Sequence, residues 1–209
     1  GRITQPVVFF ILAKLMLQSE VYTGVARWDE CNSYCDELDY MGYSLESIYS
    51  SNFLVYNQYS RENIFTIPMD KNLFSNQQLN IIRSLHYRHA AAYGYNGENG
   101  ACATLKALQV FGYPDDLDPR IVDCYHYTNV NGPDGKPVTD RTGKPLMYEP
   151  DKVQLDLSGS PYLETAGARM YKYEFDKNAI KDGKLVDNDI VLFRYADVLL
   201  MRAECKGRL

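Results

Sequence analysis

The sequence predicts a mainly α-helical fold with long loops and a few short strands, and three observations carry that reading. Apolar residues recur at helical spacing at both ends of the chain. The segments with strand-like alternation are short. Between them run long stretches rich in Gly, Asn, Asp and Pro that follow neither period. At 209 residues the chain is long enough for one substantial core or two small ones.

Thr4 to Ser19 reads as a helix, apolar on nearly every side through Val7, Val8, Phe9, Phe10, Ile11, Leu12, Leu15 and Met16, and is expected to be buried. Thr4 offers an N-cap and Pro6 suits the first turn. A polar loop through Gly24 leads to a second helix, Trp28–Met41, stopped by Gly42. The two form an antiparallel pair, and Gly24, Trp28 and Tyr34 are spaced compatibly with one tetratricopeptide-like repeat. Glu62–Asp70 reads as a short strand ended by Pro68. Asn76–His86 has a helical pattern, Tyr87–Gly100 has loop chemistry, and Ala101–Phe111 is again helical, stopped by Gly112. Ile121–Tyr127 reads as extended. Residues 129–150 carry few apolar anchors and read as a mobile, exposed hairpin tip. Val153–Leu157 and Arg169–Phe175 alternate as strands.

The strongest signal lies between Asp187 and Glu204: an acidic start, a short apolar run, then a helix from Arg194. Tyr195, Leu199 and Ala203 fall at i, i+4 and i+8, with Ala196 and Leu200 beside them. Arg194, Asp197 and Glu204 share another face, with Arg194 and Asp197 at a spacing that allows pairing. On a helix this apolar, both charges are expected to be buried together. Asp197→Ala should then cost roughly 3 kcal/mol by stranding an arginine.

Composition excludes several functions. Net charge is −5 with scattered Lys and Arg, which argues against nucleic-acid binding. The five cysteines are odd in number and contain no CxxC. Cys31 and Cys35 share a helix face, but no His or Cys pair elsewhere completes a metal site, so they read as small buried hydrophobes rather than a disulfide framework. His86 and His89 are i, i+3 with no third ligand, and no metal or cofactor is expected. There is no nucleophile turn and no phosphate-cradling glycine loop, and Asp115/Asp116 read as solvated turn charges, so no catalysis is expected. The apolar run Pro6–Leu17 is broken by Lys14 and is too short to span a bilayer or to serve as a signal peptide. Both ends fall in helical patterns, and the chain is expected to be a fragment.

What remains is a binding surface. The compositional outlier is tyrosine, with 18 against one tryptophan, and tyrosine pairs a flat apolar face with a hydroxyl. Tyr87, Arg88, His89, Tyr93, Tyr95 and Asn96, with Glu98 and Asn99, lie in one glycine-punctuated segment and are the candidate ligand-binding residues. Aromatic faces cover the C–H face of a sugar ring while planar polar groups take its hydroxyls. An equally weighted reading is a packed loop stabilised by its own tyrosines. If the loop faces solvent, Tyr93→Ala or Tyr95→Ala should weaken binding without changing melting temperature. A second cluster is Tyr49, Tyr56 and Tyr59 with Asn52, Asn57 and Gln58.

The run Leu-Phe-Arg-Tyr-Ala-Asp-Val-Leu-Leu-Met-Arg-Ala-Glu, residues 192–204, resembles the signature helix of the SusD/RagB family, surface nutrient-binding lipoproteins of Bacteroides-type bacteria. The helix pair near the N-terminus, the Glu62–Ile67 segment and Asp118-Pro119-Arg120 are similar to further family segments, in order along the chain. The resemblance implies a tetratricopeptide-like scaffold, with Trp28 as a scaffold residue. It divides one incomplete domain, 1–209, into scaffold (1–42 and 190–205) and a loop-rich ligand-facing part (43–189). It also implies capture of oligosaccharide at the cell surface for a SusC-like TonB-dependent outer-membrane transporter, without catalysis. The lipid anchor would lie upstream of Gly1. A RagB-like peptide binder is the alternative within the family. A carbohydrate-active hydrolase and a purely structural helical-repeat domain are the alternatives outside it.

Overall fold

The structure is a computed structural model that describes residues 2–74, 80–154 and 163–209, with 80 and 81 as backbone. In chain order the elements are α1 (Gln5–Leu17), α2 (Ser19–Thr23), α3 (Trp28–Tyr40), β1 (Asn63–Ile67), α4 (Asn80–Ser84), α5 (Tyr87–Ala92), α6 (Leu105–Gln109), α7 (Ile121–Cys124), β2 (Tyr125–His126), β3 (Arg169–Met170), β4 (Ile190–Arg194) and α8 (Tyr195–Arg208). Most of the expected strand Val153–Leu157 and the first turn of the expected helix Asn76–His86 lie outside the described residues. The chain divides into two compact units. One holds Gly1–Asn52, Tyr56–Pro68 and Asp189–Leu209; the other holds Phe53–Val55 and Met69–Asn188.

In the first unit α1 packs on α3 and α8, and α3 on α8. Each helix gives the core one stripe: Val7, Phe10, Ala13 and Leu17 from α1; Cys31, Cys35 and Leu38 from α3; Val198, Met201 and Cys205 from α8. Cys31 and Cys35 are fully buried free thiols. β1 pairs antiparallel with β4, and the Phe193 ring of β4 stacks on Phe10 at 4.3 Å. The expectation that α1 is buried all round needs correction. Val8, Ile11 and Leu15 are exposed, because α3, α8 and β1 meet one side of the helix only.

The C-terminal helix also differs from its sequence reading. Its inward face is Val198, Met201 and Cys205, while Leu200 and Ala203 are exposed. Arg194 does not pair with Asp197. Its Nη1 donates to Glu62 Oε1 at 2.5 Å, and that carboxylate also accepts from Asn52 Nδ2 at 2.8 Å and from the Glu46 amide at 3.1 Å. Asp197 instead meets Lys14 of α1 at 2.9 Å, with both side chains about half exposed. Arg194 is the residue at which strand becomes helix, so its side chain follows the strand to β1's flank rather than the helix surface. Further along, Arg202 bridges Asp36 at 3.0 Å and Asp39, and the Tyr195 hydroxyl donates to Asp39 at 2.5 Å. The polar stripe of α8 thus ties it to α3.

The second unit has short elements and several small cores. Leu108, Ile121 and Ala168 form one, flanked by Phe111, Tyr113, Tyr125 and Tyr127. Val130, Leu146 and Tyr148 form another, with Val138 against it. Residues 129–150 are therefore not an exposed tip throughout. The Val130 amide donates to Leu146 O at 2.9 Å, Val138 N to Val130 O at 2.9 Å, and Leu146 N to Val138 O at 2.7 Å, so three passes of backbone satisfy one another and enclose the apolar residues. Ile121–Cys124 is a helical turn rather than extended, initiated where the Asp118 carboxylate accepts the Arg120 amide at 2.9 Å. The extended part is β2, which pairs antiparallel with β3.

Candidate functional site

The segment 87–100 opens as a helix, α5, rather than a loop. His86 Nδ1 caps it by accepting the Arg88 amide at 3.1 Å. This geometry separates the six candidate residues. Tyr87 is 39% exposed, with the Arg141 guanidinium 5.7 Å from its ring centre. Arg88 and Asn96 are exposed as well. Tyr93 is half-buried; its ring stacks on Phe175 at 4.2 Å and its hydroxyl donates to Asn131 O at 3.2 Å. Tyr95 is buried, donates to Asp176 O at 2.9 Å and lies against Phe175. Gly183 makes this possible: a Cβ there would fall 1.3 Å from a Tyr95 ring carbon. Gly97 is equally constrained, since a Cβ would meet Leu85 O at 2.6 Å. The segment is thus not solvent-facing as a whole: Gly97 lets its backbone pack closely and Gly183 makes room for Tyr95, while Gly94 forms an open turn.

His89 is fully buried. Its Nδ1 lies 3.0 Å from the Tyr148 hydroxyl, and the rings of His126, Tyr148, Tyr171, Phe175 and Tyr93 surround it at centroid distances of 5.0 to 6.1 Å. Burial first, then the neighbouring His126, hold its pKa down to about 3, so it is a neutral ring. Burial likewise pushes Tyr148 up to about 12. Tyr148 is the hub: its hydroxyl also receives the His86 amide at 3.2 Å, and the Arg169 guanidinium sits 4.4 Å from its ring centre. His89 and Tyr95 therefore act in packing. Among the described residues no group of three or more His, Cys, Asp or Glu is placed to hold a metal ion.

In the second cluster the two asparagines are also structural. Asn57 Nδ2 donates to Asn52 O and Asp189 O at 2.9 and 3.0 Å, and both asparagines are buried. Tyr56 and Tyr59 are well exposed, and the Arg194 guanidinium faces the Tyr49 ring at 5.4 Å.

Among the described residues of the second unit are two cavities of about 420 Å³ each. One is lined by Ala101, Cys102, Val153, Leu163 and Ala166 with Asn99 and Arg169, and no aromatic ring is among its described lining residues. Arg169 is occupied there, donating to Asn99 Oδ1 at 2.9 Å and to carbonyls of Glu164 and Ala166 at 2.6 and 2.7 Å. The other cavity is built differently. Phe111 and Tyr113 approach Tyr125 and Tyr127 as two successive edge-to-face pairs, each at 5.7 Å and 83°. The inner pair, Phe111 and Tyr125, seals the Leu108–Ile121–Ala168 core; the outer pair lines the cavity with Asn129, Glu149 and Asp151. Burial, with Asp151 and Tyr127 adding, raises the Tyr113 pKa, so its hydroxyl keeps its proton and can both donate and accept. Tyrosine rings stand beside planar polar groups here, in a cleft of a size that small ligands fill.

This cleft joins residues that the sequence reading did not connect. The alternation of Tyr125 and Tyr127 within the expected extended segment was the one local signal, since it puts both rings on one side.

The sequence model of the SusD family matches residues 61–209. Among curated proteins none matches this chain. Among solved structures, a SusD superfamily protein from Parabacteroides distasonis superposes with a TM-score of 0.66 at 23% identity, covering 99% of this chain and 40% of that one. Surface glycan-binding protein A from Bacteroides uniformis gives 0.59 at 18%, covering 100% and 38%. Surface glycan-binding protein A from Bacteroides thetaiotaomicron, in complex with laminarihexaose, gives 0.51 at 17%, covering 100% and 44%. The chain therefore spans about two fifths of the length of these solved proteins. Its helix-rich fold with few short strands is theirs, and with its family model matched over most of its length, the chain belongs to the SusD family.

Proposed function

We propose that this chain captures oligosaccharide nutrients at the outer surface of the outer membrane, as a lipoprotein, and delivers them to a SusC-like TonB-dependent transporter, with no catalytic step of its own. Family membership sets this reading, and the observation that carries it to particular residues is the Tyr113–Tyr127 cleft. A pyranose lies with its C–H face on one of these rings while Asn129 and the carboxylates take hydroxyls. The laminarihexaose bound by a structural neighbour supports a glycan ligand for this fold. The exposed members of the 87–100 segment, Tyr87, Arg88 and Asn96, are the next contact surface, and residues 43–189 form the ligand-facing part of the chain.

Calorimetry with a panel of neutral hexasaccharides, laminarihexaose among them, tests this. Tyr127→Ala should weaken the best binder roughly tenfold, the scale of one aromatic face. Tyr87→Ala should weaken it less. A panel with no binder, or an affinity unmoved by Tyr127→Ala and Tyr113→Ala, would overturn the assignment to this cleft.

A further inference from the structure

Resting on that reading, we infer that the Tyr113–Tyr127 cleft selects its sugars by charge: it admits neutral and amine-bearing oligosaccharides and rejects those carrying carboxylate or sulfate groups. The charges that line the cavity are Glu149, Asp151 and Lys152, a net of minus one, on a chain whose own net charge is −5. The Glu149 carboxylate is held by a hydrogen bond, and Asp151 is placed through its backbone. Glu149 Oε2 accepts the Thr165 hydroxyl at 2.6 Å, its amide donates to Thr165 O at 2.9 Å, and its carbonyl accepts from Gly167 at 2.9 Å. Asp151 sits in the single turn Pro150–Lys152, whose Pro150 is buried and whose Lys152 amide returns to Glu149 O at 3.1 Å. From there Asp151 lines the same cavity as Tyr113.

A neutral ring meets a tyrosine face and hydrogen-bond acceptors. An ammonium-bearing ring adds attraction to the carboxylates and to the ring faces. A uronate or sulfate must approach Asp151 and Glu149 with like charge, and Asp151 stands exposed at the cavity, within reach of screening by salt. The lone Lys152 offsets only one of the two. Screening by salt should therefore soften the rejection, which a steric cause would not do.

The test is calorimetry on the 209-residue chain with laminarihexaose, a chitosan hexamer and an oligogalacturonate hexamer, at low and at roughly 0.5 M salt. The expected result is binding of the first two, at least tenfold weaker binding of the third, and a gap that narrows at high salt. Asp151→Asn should raise oligogalacturonate affinity about five- to tenfold, the scale of one nearby charge. Equal binding of the acidic and neutral hexamers by the unaltered chain would overturn the charge selection while leaving a sugar site standing. So would a gap that neither salt nor Asp151→Asn moves. Binding that survives Tyr127→Ala would instead remove the cleft, and the inference with it.

Discussion

In the unit built on α1, α3 and α8, burial follows helix faces: Val198, Met201 and Cys205 meet Val7, Phe10 and Cys31 as stripes, and the aromatic ring of Phe193 joins from β4. In the unit that holds Tyr148, burial follows no period. His89, Tyr95 and Tyr148 come from helix, loop and strand-like passes and are enclosed by Phe175, Tyr171 and His126. Polar groups differ in the same way. The first unit keeps most of its charges near the surface between helices, while the second buries neutral histidines and tyrosine hydroxyls among rings. A regular element satisfies its own backbone, so its side chains are free to form a single apolar seam. An irregular passage must satisfy its backbone through distant partners, and those partners bring polar groups inside.

The largest expected effect tests whether the second unit's aromatic interior is structural. Tyr95→Ala removes a buried ring on Phe175 and the bond to Asp176 O, and should cost about 3–5 kcal/mol in urea unfolding. A cost under 1 kcal/mol would mean that the ring serves a ligand instead. In the first unit, Arg194→Ala strands the buried Glu62 carboxylate and should cost roughly 3 kcal/mol, with Asn52 and the Glu46 amide left as its partners.

A pH series probes the buried histidines of the second unit. Native His89 stays neutral down to about 3, whereas in the unfolded chain it takes up a proton near 6.5. Between those values the unfolded state binds the extra proton. This contribution is therefore complete above pH 6.5 and declines as pH falls toward 3, by at most about 1.4 kcal/mol per unit. His86 and His126, whose pKa values burial also lowers, add in the same direction. Unfolding midpoints at pH 7 and pH 5 should differ less in His89→Phe than in the parent chain; an equal difference would place the slope elsewhere. The smallest effect is Asp197→Ala. Its pair with Lys14 is about half exposed on both sides, so the loss should stay within about 1 kcal/mol, and a thermal melt would show a shift of a few degrees at most.

Much of the first unit was legible in the sequence because helical spacing alone places a stripe. The ranges of α1 and α3, the strand that ends before Pro68 and the buried Cys31–Cys35 face all follow from local pattern. The run Leu192–Glu204 carried the family as a resemblance, and the match over residues 61–209 agrees with it. Within α8 the pattern was ambiguous: stripes through Leu199 and through Val198 are both apolar, and the neighbours on α1 and α3 decided between them.

The site was legible only as a residue class. Abundant tyrosine announced aromatic surfaces, but which rings face solvent depends on partners far along the chain. Tyr95 is buried because Gly183 leaves room for it, and Tyr113 meets Tyr127 because Leu108 of α6, Ile121 of α7 and Ala168 share a small core. Arg194 chose Glu62 over Asp197 for a similar reason: a strand flank fixed its direction before the helix began. Local chemistry in this sequence determined the long elements of the first unit, the family resemblance and the kinds of group available. The pairing of those groups was decided by tertiary structure, since contact between residues tens of positions apart depends on how the chain closes and not on the spacing within any one segment.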